Sequence, residues 1–187
     1  MKNISYKWEK PKDELKRILE KEKKIYLGNS GLKLMLNNAE NYCIYKFLYA
    51  LRHCEYHLHY TSVYHKLMYS YYLRLKNKWG IRLGIYAWPF SLGEGVLISH
   101  AGSILINGNA KVGKNCIFHG ENCVGNKGTG SEAPIVGNNV DFGVGSKVIG
   151  NITIANNVKI GANAVVIRSC YKEGALLVGV PAREMSN

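Results

Sequence analysis

The stretch that decides the fold is VGKNCIFHGENCV, residues 112–124, together with VGNNVDFGVGSKVIGNITIANNVKIGANAVV, residues 136–166. An apolar residue returns every six positions: Val112, Phe118 and Val124, then Val136, Phe142, Val148, Ile154, Ile160 and Val166. A small residue follows most of them, as at Gly113, Gly125, Gly137, Gly143, Ala155 and Gly161. Six residues match neither whole turns of a helix nor simple strand alternation. A fixed period with a small neighbour beside each apolar residue predicts a coiled parallel β-solenoid, each repeat stacked about 4.8 Å from the next.

The ladder reaches back to Leu92 and Ile98 and breaks its rule twice. Eight residues rather than six separate Ile98 from Ile106, and this slip holds Ser99-His100-Ala101-Gly102. The interval from Val124 to Val136 is doubled, and its surplus makes a polar, Gly-rich loop over residues 126–134. Departures from a repeat are where function is expected, and projecting loops commonly carry it.

Working outward, the 187 residues and net charge of +12 divide unevenly. Residues 1–88 hold 17 Lys and Arg against 7 Asp and Glu, a balance of +10; residues 89–187 hold 8 against 6, a balance of +2. Twelve of the thirteen tyrosines lie before residue 89. Two domains are therefore expected: a basic, Tyr-rich helical region over 1–88, and a β-solenoid over 89–187. Helices are predicted from Pro11, from about Leu32 to His59 and from about Ser62 to Lys78, with Leu67, Tyr71 and Leu75 on one stripe. The charged N-terminus has no apolar leader segment, and no later stretch is long and apolar enough to span a bilayer. Five cysteines without a CxxC pair fit a reducing cytoplasm, with peripheral contact to an acidic membrane face as the sharper reading of the basic helices. No nucleic-acid motif is present. His53 and His57 have helical metal spacing but lack a third ligand, so ordinary surface or interface roles are favoured.

The segments ISHAGSILINGNAKVGKNCIFHGENCVGNKG and VDFGVGSKVIGNITIANNVKIGANAVV, with the ending LLVGVPAREM, resemble the hexapeptide-repeat acyltransferases. The branch it most resembles is the serine acetyltransferase-like group, which includes capsule and exopolysaccharide O-acetyltransferases. The resemblance implies a left-handed parallel β-helix, a homotrimer with sites between subunits, and acetyl-CoA as co-substrate. It places His100 as general base, a role suited to an imidazole that must take a hydroxyl proton. His119, one coil on, is the second catalytic candidate, to hold the acceptor or the oxyanion. Cofactor contacts fall on Gly125, Asn126 and Lys127, on Gly143 and Val144, on Gly161 and Ala162, and on Lys159 and Arg183 for the phosphates. Ser99, Glu94 and Glu121 stand as acceptor-side candidates, and Glu94, Glu121 or a backbone carbonyl could orient His100. The zinc-dependent γ-carbonic anhydrases share this fold but need three histidines; the third is missing here, so no metal is expected.

Against serine acetyltransferases the chain departs at three positions. An aspartate expected fifteen residues before the base is Ile85, a second just before it is Ser99, and a histidine in the loop is Ala133. A serine zwitterion needs both charges, so these losses point to a saccharide hydroxyl as acceptor, in capsular or exopolysaccharide synthesis. Serine or another small molecule is the alternative, and a non-catalytic scaffold the reading of a different class.

Overall fold

The computed structural model describes residues 8–128 and 130–185, so the first seven residues, Thr129 of the loop and the last two residues lie outside the described part. The chain divides into two compact units, residues 1–79 and 80–187.

The first unit is helical: α1 (Pro11–Leu27), α2 (Gly31–Leu36), α3 (Glu40–His57) and most of α4 (Val63–Leu83). Pro11 opens α1, where a missing N–H costs nothing. The helix expected over 32–59 is two, because Asn38 takes φ 49° and turns the chain between α2 and α3. The third runs on to Leu83 and stops at Gly84, whose φ of 68° ends it as glycine commonly does. Of the expected stripe on α4, Leu67 and Tyr71 are exposed and Leu75 is half-buried, while Tyr72 stacks on His53.

The α1–α3 contact buries Leu15 and Ile18 against Ile44, Phe47, Leu48 and Leu51, and encloses a charge cluster. Arg52 donates through Nε and Nη2 to Glu22 Oε1 (3.0 and 2.8 Å) and through Nη1 to Glu55 Oε2 (3.0 Å). Burial alone would lower the arginine's pKa; the two carboxylates outweigh it and hold the guanidinium charged. Nearby, the ring of His53 stacks on Tyr72 at 4.2 Å, and His57 Nδ1 lies 2.8 Å from His65 Nδ1. Among the described residues no helix is long and apolar enough to cross a membrane.

The second unit is a left-handed parallel β-helix, a three-faced prism. One face carries β1 (Ile85–Tyr86), β3 (Ile104–Ile106), β6 (Cys123–Gly125), β9 (Lys147–Ile149) and β12 (Val165–Val166). The next carries β4 (Lys111–Val112), β7 (Ile135–Val136) and β10 (Thr153–Ile154). The third carries β2 (Leu97–Ile98), β5 (Ile117–Phe118), β8 (Asp141–Phe142) and β11 (Lys159–Ile160), and is closed by β13 (Leu176–Gly179) with antiparallel β14 (Ala182–Glu184).

Register reports the repeat directly. Lys147 pairs with Val165 and Asp141 with Lys159, steps of 18 residues, or three hexapeptides per coil. The coil containing His100 takes 20, Leu97 to Ile117, and the coil containing the loop takes 24, Ile117 to Asp141. Inside the prism every sixth residue is buried, and Phe118 stacks on Phe142 at 4.4 Å. Burying such a ring is worth about 1.5–3 kcal/mol. The small residues after them are needed because coils touch there: a Cβ on Gly113 would lie 2.4 Å from the Gly137 carbonyl oxygen.

At the corner between the second and third faces, Asn115, Asn139 and Asn157 take the left-handed conformation (φ 56–61°). Their side chains form a ladder, Asn115 donating to Asn139 (3.3 Å) and Asn139 to Asn157 (3.1 Å).

Candidate active site

The prism sorts the sequence candidates onto two corners. Ser99 and His100, then His119, then Gly143 and Val144, then Gly161 and Ala162, each follow a strand of the third face (β2, β5, β8 and β11), so they stack on successive coils of one corner. Gly125, Asn126 and Lys127 end or follow β6, at the corner between the first and second faces. One prism therefore does not bring the two groups onto a single edge.

His100 is exposed in the turn after β2, a turn held by Ser99 N–H donating to the Phe118 carbonyl (2.9 Å) and Gly102 N–H to the Leu83 carbonyl (2.9 Å). The two extra residues of the slip make that turn, and Gly84 packs so closely beneath it that a Cβ there would meet the Gly102 carbonyl at 2.8 Å. Glu94, a candidate to orient His100, has Lys114 Nζ at 3.5 Å. Glu121 is exposed in the next turn, at φ 55°.

His119 has a carboxylate partner that no spacing argument identified. Its Nε2 lies 2.9 Å from Asp141 Oδ1, with the two side chains 43% and 37% exposed. The turn beyond His119 is pinned by another residue missed in the sequence, buried Asn122. Its Oδ1 accepts from Gly120 N–H (2.9 Å), and its Nδ2 donates to the Gly143 carbonyl (2.8 Å) and Ser146 Oγ (3.0 Å). A signal was available in the sequence: the six surplus residues between Val124 and Val136 lengthen that coil to 24, which sets Asp141 beside Ile117, two residues before His119.

The cofactor candidates divide by what their backbone already does. Gly143 and Gly161 donate N–H to the Ile160 and Leu177 carbonyls (2.8 Å each), so their amides belong to the rungs. Val144, 46% exposed, and exposed Ala162 sit at the turn itself. Lys159 is exposed at the start of β11. Arg183 lines a cavity of about 380 Å³ at the C-terminal end with Arg168, Tyr171 and Pro181. In the loop, Asn126 accepts from Asn107 Nδ2 (3.1 Å) and donates to the Gly128 carbonyl (2.9 Å), so its side chain shapes the loop from within. Lys127 is exposed. Cys116 is buried and its thiol is pushed up to about 11 by burial, which removes it as a nucleophile near neutrality. No group of three His, Cys, Asp or Glu able to hold a metal occurs among the described residues.

No protein-family profile matches the chain. It is 39% identical over 94 residues to the serine acetyltransferase of Synechococcus elongatus, covering 49% of this chain and 38% of that one. To the serine acetyltransferase of Helicobacter pylori it is 37% identical over 97 residues, covering 51% and 56%. The chain thus spans less than two thirds of the length of the relatives it matches. In fold it is similar to the crystal structure of serine acetyltransferase from Brucella abortus (TM-score 0.71, 21% identity, 92% of this chain and 69% of that chain), an enzyme also solved in complex with coenzyme A.

The matched proteins carry the name serine acetyltransferase, which overturns the expected saccharide acceptor and its place in capsular or exopolysaccharide synthesis. The structure supplies the reason two of the three departures misled. Ile85 is 3% exposed, paired with Ile104 in the wall of the prism, and Ala133 is 7% exposed within the loop. Their apolar side chains report packing and say nothing about the acceptor. In sequence over about half its length, and in fold, the chain is similar to the hexapeptide-repeat acyltransferases of the serine acetyltransferase branch.

Proposed function

We propose that the chain is an acetyl-CoA-dependent O-acetyltransferase whose acceptor is serine or another small hydroxyl compound. The observation that carries this is the corner that stacks exposed His100 and His119 on successive coils, in a chain 39% identical over 94 residues to a serine acetyltransferase. His100 takes the hydroxyl proton as the oxygen forms its bond to the thioester carbonyl. As the carbon–sulfur bond breaks, the same imidazole returns that proton to the departing sulfur, and no acyl-enzyme is needed. A backbone amide aimed at the developing oxyanion is worth about 3 kcal/mol; Gly125 and Asn126 are the candidates.

The residues present fit acetyl-CoA as co-substrate. Val144 and Ala162 are exposed side by side on the corner of adjoining coils, leaving a strip that an extended chain can follow, and Arg183 and Arg168 supply positive charge beside the terminal cavity. A homotrimer accounts for the separation of the two candidate corners, since it lets the His100 corner of one protomer face the Gly125–Lys127 corner of its neighbour. Solution scattering should then give three times the 20.9 kDa chain mass; a monomer would remove this account of the oxyanion site.

The test is release of coenzyme A thiol from acetyl-CoA by the full chain, offered L-serine. Acceptor-dependent release with O-acetylserine as product is expected. No release with serine or any other small hydroxyl acceptor would overturn the reading.

A further inference from the structure

The proposed transfer leaves one pair at the corner unused. His119 Nε2 and Asp141 Oδ1 are 2.9 Å apart, and both side chains stand open to solvent at 43% and 37% exposure. An ionised carboxylate only accepts hydrogen bonds, so the hydrogen in this contact belongs to Nε2. In the neutral ring the remaining nitrogen, Nδ1, is then an acceptor. A neutral imidazole in this pose has no hydrogen to offer an oxyanion. What it offers, with the carboxylate beside it, is a lone pair and a net negative charge.

The surroundings make that charge local. Asp141 is paired in register with Ile117 on one side and Lys159 on the other, and the equivalent positions further out are Leu97 and Leu176. Among the described residues Asp141 is thus the one acid in this column of the third face. Ser99, in the coil beside His119, and Ala133, in the loop, are uncharged, and Glu94 has a lysine at 3.5 Å. Glu121, exposed in the same turn as His119, is the competing carboxylate.

We infer that His119 and Asp141 form the anchor for the α-ammonium group of an amino-acid acceptor. The ammonium donates to the second oxygen of Asp141, and His119 is the positioning residue whose Nε2–H holds that carboxylate in place. The inference rests on the acetyltransferase reading and deepens it, naming the acceptor as one with a primary ammonium close to its hydroxyl. His100 supplies the chemistry, and His119 one coil on with Asp141 on the coil after it supplies the grip.

The test compares L-serine with 3-hydroxypropionate, which keeps the hydroxyl and carboxylate but lacks the amino group, in steady-state thiol release by the full chain. The wild type should favour serine. Asp141→Asn, which preserves shape, should raise KM for serine about tenfold, the scale of one hydrogen bond to a charged group. It should change kcat by less than about threefold and leave KM for acetyl-CoA and for 3-hydroxypropionate where they were. His119→Gln should give the same pattern, and Glu121→Gln should not. Equal effects on both acceptors, a fall in kcat at constant KM, or the shift appearing in Glu121→Gln would overturn the anchor. A wild type that uses the two acceptors equally overturns the anchor alone; one that uses neither overturns the acetyltransferase reading and the anchor with it.

Discussion

His100 and Asp141 mark the two ends of what a residue-level reading can reach. His100 was legible because the repeat breaks there: the slip of two residues and the Ser-His-Ala-Gly turn single it out within the sequence. Asp141 was legible only by carrying the doubled interval into the register, since its partner His119 is 22 residues away and a regular coil of 18 would have set Ile135 beside Ile117 instead. Ile85 and Ala133 misled for a related reason. Each is apolar because it packs, and a single sequence does not separate packing from acceptor choice. At this scale one outcome concerns Cys116. With its thiol raised by burial, it should resist alkylation by iodoacetamide near neutral pH in the native chain and react after denaturation; rapid native labelling would show a repeat core open to solvent rather than packed.

Elements were read well where the period was strict and poorly where polar residues decided a boundary. The rungs from β4 to β12 fall where the hexapeptide ladder sets them. Asn38 split an expected single helix by taking a left-handed turn, and on α4 Leu67 and Tyr71 are exposed while Tyr72 stacks on His53. The close approach of coils makes Gly113→Val a strong test of the rung geometry: a Cβ there meets the Gly137 carbonyl oxygen at 2.4 Å, so the melting temperature should fall by several degrees or the coil should not form. In the helical unit, Arg52→Met leaves Glu22 and Glu55 buried without their counter-charge, and should cost about 3–5 kcal/mol in urea denaturation. The same unit should also respond to pH. Burial, with His57 close by, lowers His53 from 6.5 to about 4, so the unfolded chain binds the extra proton between those values. His53 therefore contributes stability that is complete above its unfolded pKa and is lost as pH falls toward its folded one. Across that window the wild-type melting temperature should fall more steeply with acidification than that of His53→Phe; a wild-type curve no steeper than the variant's would remove His53 as the cause.

At the scale of the whole molecule, the order of faces is what turns a repeat into a site. Three hexapeptides per coil send every third turn to the same corner, so Ser99 and His119, one lengthened coil apart, become neighbours, and Gly143 and Gly161 follow beneath them. The same winding puts the Gly125–Lys127 loop on a different corner, which no periodicity of one chain would reunite with His100. The solenoid was therefore legible as architecture, and the chemistry only as two irregularities in it. The measurement that tests the central claim most directly is acceptor-dependent thiol release from acetyl-CoA and L-serine by the wild type and by His100→Ala, each first shown to have the same assembly mass. The account expects turnover by the wild type and a loss of at least about a hundredfold in kcat for His100→Ala; turnover retained by the variant would contradict it.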